Sequence, residues 1–144
     1  MSTQVLDFTK QLVAIESIDV KKDKLQEVID MAVKKLEGYT VEKFNQNGRP
    51  SILAYSGSKR PEKFKIVLNA HLDVVSGRPE QFTPIEKEGK LYGRGVNDMK
   101  AGGTAEILVF RDLAKTLPYP IALQLVTDEE IGGYDGTQLQ IKQG

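Results

Sequence analysis

The chain has 144 residues, 40% hydrophobic and 28% charged, which is ordinary for a globular protein and enough for one apolar core. Basic and acidic residues number 20 each and cancel, which argues against a dedicated nucleic-acid binder, whose affinity rests on neutralising phosphates. There is no cysteine, so disulfides and thiolate metal sites are excluded and any metal must be held by nitrogen and oxygen.

Met1 to Asp7 lacks the charged-then-apolar pattern of a signal peptide. No apolar run approaches the roughly 20 residues that span a bilayer, so a cytoplasmic, non-membrane protein is expected. Val5, Phe8, Leu12 and Ile15 recur at helical spacing and predict an amphipathic helix. Leu25, Val28, Ile29, Ala32 and Leu36 predict a second, with Lys34 and Lys35 in its last turn and Gly38 as a left-handed terminator. The lysines at 21, 22 and 24 read as a solvated helix start.

Tyr39 to Phe44 and Ser51 to Tyr55 predict two strands, joined by turn chemistry at Asn47-Gly48-Arg49-Pro50. Phe64 to Asn69 contains the run Ile66-Val67-Leu68 and predicts a strand buried on both faces. Ile85 to Tyr92 predicts a short hairpin turning near Glu88-Gly89. Ala101 to Lys115 predicts a helix with Ala105, Leu108, Val109 and Leu113 facing inward, ended by Pro118 and Pro120. Ile121 to Val126 predicts another buried strand, and Gly132-Gly133 break the chain after it. The expected class is α/β, a mixed sheet flanked by helices.

Chemistry-bearing residues stand at the ends of these elements. His71, the only histidine, sits with Asp73 after the Phe64–Asn69 strand. Glu129 and Glu130 follow the Ile121–Val126 strand, and Asp98 precedes the helix between the two. Ligands of α/β sheets collect beyond the carboxyl ends of the strands. If the two strands are parallel with the helix as their crossover, His71, Asp98 and Glu130 share one sheet edge. Taken singly, each has a plainer use: a hydrogen-bonded structural histidine, a helix-capping aspartate, a solvated acidic turn. Gly93-Arg94-Gly95 is no dinucleotide fingerprint, because Asp98 takes the place of the third glycine. The joint occurrence of three such segments points instead to a metal-assisted hydrolase.

His71-Leu72-Asp73, Gly93-Arg94-Gly95-Val96-Asn97-Asp98-Met99-Lys100 and Thr127-Asp128-Glu129-Glu130-Ile131-Gly132-Gly133 resemble, in order, the three signature segments of the dinuclear zinc exopeptidase and deacylase family. That family includes acetylornithine deacetylase, succinyl-diaminopimelate desuccinylase, aminoacylase and glutamate carboxypeptidases. The resemblance implies that His71 ligates one zinc, Asp98 bridges two and Glu130 ligates the other. It implies Asp73 as a carboxylate orienting His71, Glu129 as the general base, and a cis peptide bond at Asp98–Met99. The implied reaction is hydrolysis of the amide bond of an N-acyl amino acid or small peptide through a metal-bridged water, with cobalt or manganese as alternatives to zinc.

Members of this family are longer. They carry a further carboxylate ligand, a second metal-binding histidine and a lid domain, none of which has a counterpart here. Residues 1–144 are therefore expected to form the N-terminal portion of a catalytic domain without its lid, an incomplete version of the family fold. Three direct ligands predict weak or no metal binding and little activity by the chain alone. Uncovered sheet surface predicts self-association. The alternative is a non-catalytic α/β folding or interaction module that retains the motifs without using them.

Overall fold

The computed structural model describes residues 3–143; Met1, Ser2 and Gly144 lie outside that range. Helices α1 (Thr3–Val13) and α2 (Lys22–Lys34) come first, followed by the hairpin β1 (Thr40–Gln46) and β2 (Arg49–Tyr55). Strand β3 (Ile66–His71) leads through a 3-10 turn (Pro79–Phe82) to the small hairpin β4 (Ile85–Lys87) and β5 (Lys90–Tyr92). An irregular turn, Val96–Lys100, opens α3 (Ala101–Leu113), and β6 (Ile121–Val126) and α4 (Thr137–Lys142) complete the chain. Among the described residues no helix is long and apolar enough to cross a membrane.

The main sheet has the order β1-β2-β6-β3. β1 pairs antiparallel with β2, and β2 antiparallel with β6, while β3 runs parallel to β6 from Ile66↔Ile121 to His71↔Val126. The sheet is mixed, and α3 is the crossover between its two parallel strands. One face carries the core. Side chains at alternate positions (Ile52 and Ala54, Ala70, Leu123 and Leu125) pack under Phe8, Leu12, Val28, Ile29, Ile107 and Phe110 from the first three helices. The opposite face holds Leu53, Tyr55 and Ala122 with Phe44 and Phe64 against them, and α4 is tied to it by Gln140.

Three expectations need correction. β3 is not buried on both faces: Ile66 and Val67 are 43% and 49% exposed. It is one of the sheet's two edge strands, so the lone run Ile66-Val67-Leu68 had marked an apolar strand without saying whether a neighbour lay outside it. The strand also starts later than Phe64 and runs on through His71. In α3 the buried side is Gly103, Thr104, Ile107 and Phe110, whereas Val109 and Leu113 are exposed. Gly103 lets the helix approach the side chains of Leu72 and Ala70, and that close approach rotates the larger residues outward. The first hairpin turns on two residues only. Asn47 (φ 53°) and Gly48 (φ 72°) supply the left-handed pair a tight hairpin requires, and Arg49 and Pro50 already belong to β2. Pro50 is tolerated because β2 meets β6 only from Ile52 onward, so no ladder bond is asked of its nitrogen. Gly38 (φ 85°) does lie in the left-handed region just past α2, and the second hairpin turns at Glu88 (φ 53°) and Gly89 (φ 72°) as expected.

Candidate metal centre

Parallel pairing puts the ends of β3 and β6 side by side. The Leu72 amide donates to the Val126 carbonyl at 2.9 Å, so the segments that follow, 73–76 and 127–131, leave the sheet together. The turn 96–100 brings a third segment to the same place. Asp98 departs from helical geometry there (φ −130°, ψ 98°), and the Asp98–Met99 peptide bond is cis. Asp98 does not cap α3. Its Oδ1 lies 3.0 Å from His71 Nε2.

His71, Asp98 and Glu130 each offer a donor atom within 4.8 Å of the others. They are the one group of three or more potential His and carboxylate ligands so gathered among the described residues. His71 is buried, whereas Asp98 is open to solvent. On the other side of the ring, Nδ1 lies 3.1 Å from the Asp73 backbone carbonyl and 3.5 Å from the Asp73 carboxylate. A carbonyl can only accept, so Nδ1 carries a hydrogen and Nε2 is the nitrogen that faces the cluster. Burial works against a charged imidazole here. The Asp73 carboxylate, with Asp98 and the Asp73 carbonyl, outweighs it and pushes the His71 pKa up to about 9. A metal at Nε2 takes the neutral ring, so metal binding competes with protonation of His71.

Asp73 has a second task that its place in the motif did not reveal. Its two carboxylate oxygens accept the backbone N–H of Glu129 at 3.3 Å and of Glu130 at 3.0 Å. One buried aspartate therefore holds both the loop that carries His71 and the loop that carries the two glutamates. Glu129 is exposed, and its Oε2 lies 3.7 Å from His71 Nε2. Burial raises the Glu130 pKa, with Asp98, Asp73 and Glu129 adding to the rise and His71 opposing it. Crowded carboxylates of this kind are relieved by a bound cation. One imidazole nitrogen and two carboxylates suit zinc, cobalt or manganese, and three protein donors match the count of a single catalytic zinc site.

Two further residues shape the centre. Lys100 is fully buried. Its Nζ donates to the carbonyls of Leu12 at 2.9 Å and Ile15 at 2.8 Å, joining the Asp98 turn to the end of α1. Burial pushes its pKa down to about 7 against the opposing charge of Asp73. Asp128 is also buried and accepts the N–H of Asp135 at 2.7 Å and of Gly136 at 3.0 Å through Oδ2, which folds the 128–136 loop around it. Desolvation raises its pKa, with those two N–H groups opposing. Asp135, the only acid after Glu130, points away from the cluster into a pair with Arg49 at 2.7 Å. Both acids stood in or beside a recognised motif, but their internal roles depend on contacts distant in sequence.

Residues 67–143, just over half of the chain, match the family described as Peptidase family M20/M25/M40. The chain belongs to this family. Among curated M20-type relatives, it is 39% identical over 99 residues to a succinyl-diaminopimelate desuccinylase of Acidovorax ebreus, covering 62% of this chain and 25% of that protein. It is 30% identical over 157 residues to the succinyl-diaminopimelate desuccinylase of Delftia acidovorans, covering 97% and 39%. Human carnosine dipeptidase 1 superposes with a TM-score of 0.74 at 29% identity, over 96% of this chain and 35% of that one. The M20 chain thus spans between a quarter and two-fifths of the length of these relatives. A mixed α/β fold that matches part of the longer chains of this family is what the structure and the likeness show together.

Proposed function

We propose that this chain is part of a metal-dependent amidohydrolase that cleaves the amide bond of a small N-acyl amino acid or peptide. The observation that carries the reading is the convergence of His71, Asp98 and Glu130 from three separate segments to within 4.8 Å. In this reading His71, Asp98 and Glu130 are the side chains that would hold zinc. The metal, when bound, supplies Lewis-acid polarisation of the scissile carbonyl and a more acidic water. Glu129 takes the proton of the attacking water and passes it to the departing amine; its exposed carboxylate beside His71 suits that transfer. Asp73 keeps the His71 ring oriented and both glutamate amides in place. The substrate class follows the relatives, which include desuccinylases and a dipeptidase.

Three donors are too few to fill a two-metal site, so the 144-residue chain alone is expected to bind zinc weakly and to turn over little substrate. The half-exposed edge strand β3 is the surface through which copies would associate, since its outer backbone groups have no strand beside them. The deciding experiment is thermal unfolding with and without zinc. A zinc-induced rise in Tm that disappears in both His71→Ala and Asp98→Ala supports the metal centre. A rise that persists in both variants, or none at millimolar zinc, refutes it and leaves a non-catalytic module. Sedimentation across a wide concentration range tests association, which a strictly monomeric profile would exclude.

A further inference from the structure

A cleft of about 250 Å³ opens beside Glu130, with Ile18 and Val20 on one wall, Ile131 on another and Val74 at its base. Two loops form those walls. One joins α1 to α2; the other, residues 127–136, carries Glu129 and Glu130. A single guanidinium reaches both. Arg49 donates from Nε and Nη2 to the two carboxylate oxygens of Asp19, at 2.7 and 3.0 Å, and from Nη1 to Asp135 Oδ2 at 2.7 Å. The other Asp135 oxygen accepts Gln46 Nε2 at 2.6 Å and Asn47 Nδ2 at 3.0 Å, both from the β1–β2 turn. The same hairpin grips the loop again at its start, where the buried Thr127 hydroxyl donates to the Pro50 carbonyl at 2.7 Å. The Arg49 side chain is 17% exposed and that of Asp135 11%, so this is a largely desolvated clamp rather than a solvated surface pair.

The connection from Arg49 to Glu130 is short. Asp135 is fixed from outside by Arg49 and from inside by its own N–H on Asp128. The Ile131 and Gly133 amides both donate to the Asp128 carbonyl, so residues 128–136 form one knotted turn. Glu130 stands in that turn, with its amide on Asp73. We propose that Arg49 is a positioning residue for Glu130. It sets where the glutamate loop stands relative to His71 and Asp98, and through Asp19 it sets the opposite wall of the cleft. Lysine cannot reproduce the arrangement, because one ammonium does not present a planar fork to one carboxylate and a third arm to another. The proposal rests on the reading of His71, Asp98 and Glu130 as metal ligands.

The test uses the 144-residue chain, its Arg49→Met, Arg49→Lys and Asp135→Asn variants, and His71→Ala as reference. Residue-resolved hydrogen exchange and titration with Co²⁺, followed by visible absorption, are read on each. Arg49→Met should speed exchange of the protected amides in residues 129–136 by about tenfold or more, with α2 and β6 amides unchanged. It should weaken Co²⁺ binding by about tenfold, with Asp135→Asn in the same direction and Arg49→Lys in between. Loop exchange within twofold of the native chain overturns the proposal, as does faster loop exchange with undiminished Co²⁺ affinity. Acceleration of all amides together in both Arg49→Met and Asp135→Asn reduces Arg49 to a general stabilising role and also overturns it. Failure of the metal reading is seen separately, with Arg49 intact, as Co²⁺ binding that His71→Ala leaves unchanged.

Discussion

Asp73→Ala is the substitution on which the architecture of the centre bears most directly. The Asp73 side chain is 3% exposed and accepts two backbone amides from the loop across the sheet edge. Hydrogen bonds to a charged acceptor contribute about 1.5–3 kcal/mol each. The lower figure applies here, because one bond is long at 3.3 Å and Glu129 touches solvent. That gives about 3 kcal/mol for the pair. Truncation also strips buried Lys100 of the carboxylate whose charge opposes its desolvation, which brings the total to about 3–5 kcal/mol. For a chain of this size the loss corresponds to a fall in Tm of about 10–17 °C. Urea unfolding followed by circular dichroism measures it. Asp73→Asn keeps one acceptor oxygen and should lose about half as much. A loss below about 1 kcal/mol in Asp73→Ala would show that the two loops do not depend on this aspartate, and the account of how the centre is assembled would fail.

The other predictions concern separate parts of the molecule. Gly136→Ala forces a methyl into the Asp128 carboxylate and the Val126 side chain, so it should lower the urea midpoint by the equivalent of about 2–3 kcal/mol. Phe110→Ala empties a fully buried site between α3 and the sheet and should cost about 3–5 kcal/mol in the same assay. Hydrogen bonds from Arg49 and Lys22 hold the Asp19 carboxyl below its usual 3.8, and those from Gln46, Arg49 and Asn47 hold the Asp135 carboxyl below it against desolvation. A depressed folded pKa stabilises above the unfolded value and loses that contribution as pH falls through the folded one. Stability should therefore drop as pH falls below about 4, and the drop should be shallower in Arg49→Met. Equal slopes in acid titrations of the two proteins would contradict this.

What the sequence revealed depended on whether the signal was local. The β4–β5 turn, the Asn47-Gly48 pair of the first hairpin and the left-handed Gly38 are each set by residues within a few positions of one another, and each was legible, although α2 ends before Gly38, at Lys34. So was β6, whose apolar run is buried along its whole length. The same kind of run misled for β3, because burial on the outer face depends on which strand lies next to it. The inward side of α3 was misread because the small residues Gly103 and Thr104, not the larger Leu108 and Val109, meet the sheet. Among the candidate site residues, His71, Asp98 and Glu130 were findable because each stands near the boundary of an element and belongs to a motif, and the structure brings all three together. Arg49 gave no such sign. It reads as part of a turn, and its partners Asp19 and Asp135 lie 30 and 86 residues away.

The pairing of His71 with Val126 has a consequence for how this centre tolerates change. The donors are indexed by the ladder between two neighbouring strands, not by the length of chain that joins them. Losing one residue within β6 would turn every later side chain to the other face and carry Glu130 out of reach. The stretch from Ser76 to Gly93, which includes the small hairpin, leaves the sheet and returns to it without setting that index. Additions and deletions there can reshape the rim while His71, Asp98 and Glu130 keep their places.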